Sequence, residues 1–114
     1  MAFSDLREWL SFLEEKGQIK HIKAEVDWDE EIGAIAREVA ARKGPALLYE
    51  NIKDYKKTPC RRLVIGSLGA KRRVRWALGL PMEMSDQEVT RWVSQKMRQP
   101  MPPVEVSTGP VKEN

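Results

Sequence analysis

The clearest set of residues that could do chemistry follows the short apolar run at 63–65. A glycine turn between a strand and a helix presents free backbone N–H groups, and basic side chains after it add positive charge; proteins cradle phosphates in this way. The spacing here matches neither G-x-x-x-x-G-K-[ST] nor G-x-G-x-x-G, and a tight turn requires glycine in any case. We therefore predict an anion or partner contact without a defined phosphate motif. The residues concerned are Gly66, Ser67, Gly69, Lys71, Arg72 and Arg73.

Other groups that act as nucleophiles, bases or metal ligands are sparse. His21 is the only histidine and Cys60 the only cysteine, so the chain lacks the several His or Cys ligands of a typical zinc site. A Cys60–His21 nucleophilic pair would need a third, orienting group, and the sequence indicates none. We interpret His21 as a strand-surface histidine and Cys60 as an inert or half-exposed thiol. No catalytic, cofactor-binding or metal-binding residue is assigned.

Four carboxylates are clustered at Asp27, Asp29, Glu30 and Glu31. Paired carboxylates can perform acid–base catalysis where burial separates their pKa values. Asp27 and Glu30 are, however, spaced as a capping box, and the positive end of a helix dipole favours acids in the first turn. We interpret the cluster as the start of a helix at Asp27 and not as a catalytic pair.

Positive charge is concentrated in one segment. The 114-residue chain has a net charge of +3, yet residues 53–75 contain nine Lys or Arg against Asp54 alone. Such a segment could contact phosphate groups, nucleic acid or the acidic surface of another domain. Tyr55 is the only aromatic residue inside it, so regular base stacking is not indicated. We favour a solvated face or a docking surface for an acidic partner over nucleic-acid binding.

Neither membrane insertion nor export is predicted. No apolar run approaches the ~18 residues of a membrane span, and the first residues lack the basic and apolar regions of a signal peptide. With a single cysteine and no export signal, we expect a cytoplasmic protein. Among the four tryptophans, we expect Trp9 and Trp92 in the core, and Trp28 and Trp76 half-exposed at an interface.

The first half of the chain predicts two helices separated by a strand. Helix 5–16 would be capped by Ser4 and ended by Gly17. A strand over 18–26 changes phase between its apolar residues, which predicts a bulge near Lys20–His21. The second helix then runs from Asp27 to the Gly44–Pro45 stop. Its apolar stripe is Ile32, Ile35, Ala36, Val39 and Ala40.

The second half predicts short buried strands at 46–49 and 63–65, followed by two helices. The third helix, about 70–78, would turn Val74, Ala77 and Leu78 inward and Arg72 and Arg73 outward, and Gly79 and Pro81 would stop it. The fourth begins with a Ser85–Glu88 capping box. Its apolar face would be Val89, Trp92, Val93 and Met97.

This order of elements predicts an α/β (α+β) fold, a small mixed sheet of about three strands covered by three to four helices. The second helix lies between two strands and suits a crossover connection. That crossover would be right-handed if those strands pair in parallel.

Four segments, taken in order, resemble the N-terminal region of UbiD-like carboxylases and decarboxylases. They are DLREWLSFLEEKGQI, EVDWDEEIGAIAREV, GPALLYENIK and IGSLGAKRRVRWALGL. The resemblance covers about residues 4–80, and the ordered set is more specific than any single piece. One departure is Trp28, where the family often has proline; tryptophan is tolerable at a first helical position.

The resemblance implies an aromatic or α,β-unsaturated acid (de)carboxylase that uses prenylated FMN, a divalent metal (Mn or Mg) and potassium. In the family the modified flavin forms a covalent adduct with the substrate, and an Arg and a pair of Glu assist the loss or gain of CO2. These residues belong to a central domain, and none has a matching position here. The substrate and the direction of the reaction stay open.

The resemblance therefore implies a structural or interface domain, not catalytic alone, whose partner is a UbiD-like catalytic domain or subunit, with an oligomer formed through it. We expect the N-terminal α/β domain at 1–80, an additional helix at 81–99, and a Pro-rich linker or the start of the catalytic domain at 100–114. Truncation, proteolysis and a natural split subunit are all compatible with this. The alternatives are a stand-alone regulatory or docking subunit with a basic face, and a nucleic-acid-binding module.

Overall fold

The structure, a computed structural model, describes residues 3–110. The chain divides into two compact units, Met1–Glu83 and Met84–Asn114. The predicted linker at 100–114 lies partly outside the described residues, and the domain limits expected from the sequence stay predictions. The elements are α1 (Leu6–Glu15), β1 (Ile19–Ile22), α2 (Glu31–Ala41), β2 (Ala46–Tyr49), β3 (Leu63–Ile65), α3 (Lys71–Ala77) and α4 (Asp86–Met97).

The first unit contains a three-stranded mixed sheet in the order β1-β2-β3. β1 pairs with β2 in parallel, with Ile19 opposite Ala46. β3 pairs with β2 antiparallel, with Ile65 opposite Leu47. The predicted fold class, a small mixed sheet with three to four helices, is confirmed. α2 connects these two parallel strands, as expected for a crossover connection.

Successive residues of a strand point to opposite faces of the sheet. Here both faces are covered by apolar residues. One face carries the buried cluster Val26, Ile32, Leu47, Tyr49 and Ile52, against which Ile22, Ile35, Val39 and Ile65 pack. The other carries Trp9, Leu13 and Ala46, with Phe3, Leu10, Phe12, Ile19, Trp76 and Ala77 around them. Burial on both sides explains why all four residues of β2 are buried.

The sequence predicted a bulge at Lys20–His21, and this prediction is wrong. β1 runs without interruption from Ile19 to Ile22. Ile19 and Ile22 are out of phase because they serve the two opposite core clusters. β1 is also shorter than the predicted strand, and Val26 pairs with Ile52 only in an isolated parallel bridge.

The predicted cap of α1 is wrong by one residue. Asp5, in extended conformation, is the N-cap, and its carboxylate accepts the backbone N–H of Glu8 at 2.9 Å. Ser4 instead donates its backbone N–H to the Glu8 carboxylate at 2.7 Å. The Glu8 carboxylate thus accepts from both the hydroxyl and the backbone N–H of Ser4, and its pKa is lowered, chiefly by the Ser4 hydroxyl. The predicted Gly17 stop is confirmed by its φ of +61°.

The predicted capping box of α2 is also wrong. The helix begins at Glu31, because Glu30 has a φ of +63° and makes no side-chain cap. The Asp27 carboxylate accepts a hydrogen bond from the backbone N–H of Asp29 at 3.0 Å. It also forms an ion pair with Lys53 at 2.7 Å. These contacts lower the Asp27 pKa, chiefly through Lys53. By contrast, the Ser85–Glu88 capping box of α4 is confirmed, with both reciprocal bonds present.

Alanine substitutions at two glycines, one within α2 and one just after it, should change stability in opposite directions. Gly33 is exposed, and a Cβ there would have nothing within 4 Å, so Gly33→Ala should stabilise the helix by about 0.5–1 kcal/mol. A Cβ on Gly44 would lie 2.6 Å from Cγ1 and 3.1 Å from the carbonyl oxygen of Val39, and stiff, packed Val39 cannot easily move. Gly44→Ala should cost about 1–3 kcal/mol. Urea unfolding checks both; equal midpoints for the two variants would contradict this packing.

None of the helices within residues 3–110 is long and apolar enough to cross a membrane. The cytoplasmic location expected from the sequence stays a prediction.

Candidate functional site

The glycine turn is a compact structure with its own geometric requirements. Gly66 has a φ of +75°, and the backbone N–H of Gly69 donates to the Gly66 carbonyl at 2.9 Å. A Cβ on Gly69 would lie 3.1 Å from that carbonyl oxygen. The following α3 has seven residues and no side-chain cap at Ala70. The backbone geometry of the turn therefore explains both glycines. Anion contact at this turn stays a prediction.

Arg73 does not point outward as predicted: only 2% of its surface is exposed. Its Nη1 donates to Oε1 of Gln18 and to the Gly44 carbonyl, both at 3.2 Å, and Nη2 donates to the same carbonyl at 3.2 Å. Burial, and secondarily Arg72, lowers the Arg73 pKa. Arg73 therefore ties α3 to the residues just before β1 and β2.

Helical spacing is the signal that could have identified this arginine. Arg73 stands three and four residues before Trp76 and Ala77, which pack on the sheet, so all three share one face of α3. Arg75 is buried as well, at 8% exposure, and donates to the Lys71 carbonyl at 3.3 Å. The inward prediction for Leu78 is wrong, since it is 38% exposed.

The basic segment 53–75 is not a continuous cationic surface. Lys53 pairs with Asp27 at 2.7 Å, and Lys56 pairs with Glu25. Arg73 is buried, as is Arg75. At least four of the nine cations are thus either paired with acids or buried, which reduces the charge available to phosphates.

His21 lies on β1 between two carboxylates. Its Nδ1 is 3.0 Å from Oε2 of Glu50, and its Nε2 is 2.5 Å from Oε1 of Glu14. The two acids contact opposite sides of the ring, so they do not converge on one metal position. Within residues 3–110 no group of three or more His, Cys, Asp or Glu is arranged to hold a metal ion. The cluster connects α1 to the sheet.

This cluster makes stability pH-dependent. Hydrogen bonds to the carboxylates of Glu50, chiefly, and of Glu14 raise the His21 pKa above 6.5, while His21 lowers the Glu50 pKa below 4.5. The raised His21 pKa gives stability that is full below about pH 6.5 and is lost as pH rises through the folded value. The lowered Glu50 pKa gives stability that is lost as pH falls below about 4.5.

We therefore expect the advantage of the wild type over His21→Gln to be largest between about pH 4.5 and 6.5. Urea midpoints across pH 4–9 measure it. Glu14→Gln is the matched control, because it leaves the Glu50 contact in place and should reduce the pH dependence only in part. Parallel curves for wild type and His21→Gln would contradict the assignment.

An apolar groove, here called the tryptophan groove, opens beside the first core cluster. Its volume is about 500 Å³, and its floor is made by the buried side chains of Ile32 and Ile52. Trp28 and Tyr55 form one wall, with their rings edge to face and 6.4 Å between centroids. The lining residues are Trp28, Ile32, Ile52, Tyr55, Pro59, Cys60, Arg62 and Leu63.

Of the four tryptophans, Trp28 is the exposed one, at 53%, as predicted. Trp76 is half-buried but packs in the core, edge-on to Phe12 at 5.4 Å, so its predicted interface role gains no support. Trp9 is buried as expected. In the second unit α4 has no buried residue: Trp92 is half-buried and Met97 is 76% exposed, so the predicted core position of Trp92 and the inward position of Met97 are wrong. The sequence indicated Trp28 but not the rest of the groove. Most of the other lining residues belong to the loop after β2, and no local pattern predicts the path of that loop.

The family follows from comparison with known proteins. The model of the 3-octaprenyl-4-hydroxybenzoate carboxy-lyase (UbiD) N-terminal domain matches residues 10–94. The chain belongs to this UbiD family. The resemblance noted in the sequence is thereby confirmed.

Relatives within the UbiD family are much longer than this chain. It is 34% identical to the pyrrole-2-carboxylic acid decarboxylase of Pseudomonas aeruginosa, over 96% of this chain and 23% of that protein. It is 33% identical to an uncharacterized protein of Synechocystis, over 90% of this chain and 20% of that one. The chain thus spans about a fifth of the curated relatives it matches.

Solved structures agree with this placement. The closed form of the vanillic acid decarboxylase of Sedimentibacter hydroxybenzoicus matches with a TM-score of 0.75 and 31% identity, over 100% of this chain and 24% of that one. An evolved dimeric form of the UbiD-class enzyme HmfF from Pelotomaculum thermopropionicum, in complex with prFMN, matches with a TM-score of 0.70 and 29% identity, over 88% and 21%. The chain is a UbiD N-terminal domain or subunit.

Proposed function

We propose that this chain is the structural, partner-contacting N-terminal part of a prenylated-FMN-dependent enzyme that carboxylates or decarboxylates an aromatic or unsaturated acid. The observation that carries the proposal is the family match over residues 10–94, combined with coverage of only 20–24% of the matching decarboxylase structures. A flavin-bearing catalytic domain or subunit supplies the chemistry, together with a divalent metal and potassium. Oligomers form through that catalytic part.

The described residues do not fit the cofactors themselves. The guanidinium of Arg73, one of the basic groups that the sequence predicted to contact an anion, is held by Gln18 and Gly44. Among residues 3–110 no set of His, Cys, Asp or Glu is arranged for a metal ion. We assign no chemical step to this chain. Its contribution is a rigid sheet-and-helix unit that offers a surface to the catalytic part.

The two alternative functions have less support. A nucleic-acid module would need a continuous cationic surface, but Lys53 and Lys56 are paired with acids, and Arg73 is buried. A stand-alone regulatory or docking subunit would present a basic face, but at least four of the nine cations of segment 53–75 are paired or buried.

The test is native purification of the polypeptide that contains this sequence, followed by intact mass measurement and an absorption spectrum. We expect either a polypeptide about four to five times longer than this chain, in line with the 20–24% coverage, or a co-purifying UbiD-class catalytic chain, with flavin absorbance in both cases. A 114-residue polypeptide that purifies alone and colourless would contradict the proposal.

A further inference from the structure

We draw no further inference here: the strongest candidate, the tryptophan groove beside the first core cluster, is an open apolar surface bordered by both basic and acidic side chains, and nothing in the structure of residues 3–110 shows what covers it.

Discussion

Arg73→Ala should lower the free energy of unfolding by about 2–3 kcal/mol, although the residue looks like a surface arginine in the sequence. The side chain is 2% exposed and gives three hydrogen bonds to Gln18 and the Gly44 carbonyl. Its loss leaves those part-buried acceptors without these donors. Urea unfolding followed by circular dichroism gives the measurement. Arg72→Ala is the matched control and should stay within about 0.5 kcal/mol, because Arg72 is exposed.

Two further variants separate hydrogen bonding from packing at this position. Arg73→Met keeps a long apolar stem but has no donor. We therefore expect its free energy of unfolding to fall nearly as much as that of Arg73→Ala. Arg73→Lys restores a charge without the planar fork that serves two acceptors, and should recover stability only partly. If Arg73→Met were as stable as the wild type, the hydrogen bonds to Gly44 would not be important for folding.

Leu13→Ala should destabilise the domain by about 3 kcal/mol or more. Leu13 has no exposed surface and lies with Trp9 and Ala46 at the centre of the cluster between α1 and the sheet. Truncation leaves a cavity bounded by rigid elements that cannot close around it. The variant remains measurable at low denaturant, or by its lowered melting temperature if the native state is only partly populated.

The matched control on the same helix is Leu6→Ala. Leu6 is 55% exposed, so its truncation should change stability by less than about 0.5 kcal/mol. A similar loss for both leucines would mean that α1 is packed differently from the structure described.

Local sequence signals predicted the elements well where the signal is short-range. The Ser85–Glu88 box, the Gly17 stop and the buried strand at 46–49 all depend on residues within a few positions, and all are confirmed. The cap of α2 failed, although its spacing was right. One carboxylate oxygen of Asp27 accepts the backbone N–H of Asp29 and the other pairs with Lys53, 26 residues away, so Asp27 does not form the predicted box with Glu30.

The candidate site shows the same difference between features set by local sequence and features set by long-range contacts. Trp28 was expected to be exposed, and it is. The remainder of the groove comes from the loop between β2 and β3, whose path no local pattern predicts. Arg73 was placed outside because two adjacent arginines look alike in sequence, and only one of them shares the helical face of Trp76.

The sequence by itself determined the family, the order of the elements and the mixed α/β class, because these follow from periodicity, caps and the ordered motifs. The tertiary structure alone decided which charges are buried, paired or available. Pairing of β1 with β2 brings Gln18 and Gly44 under α3, so that a guanidinium can be buried there. Burial of a charge depends on partners that are distant in sequence, and folding alone brings them together.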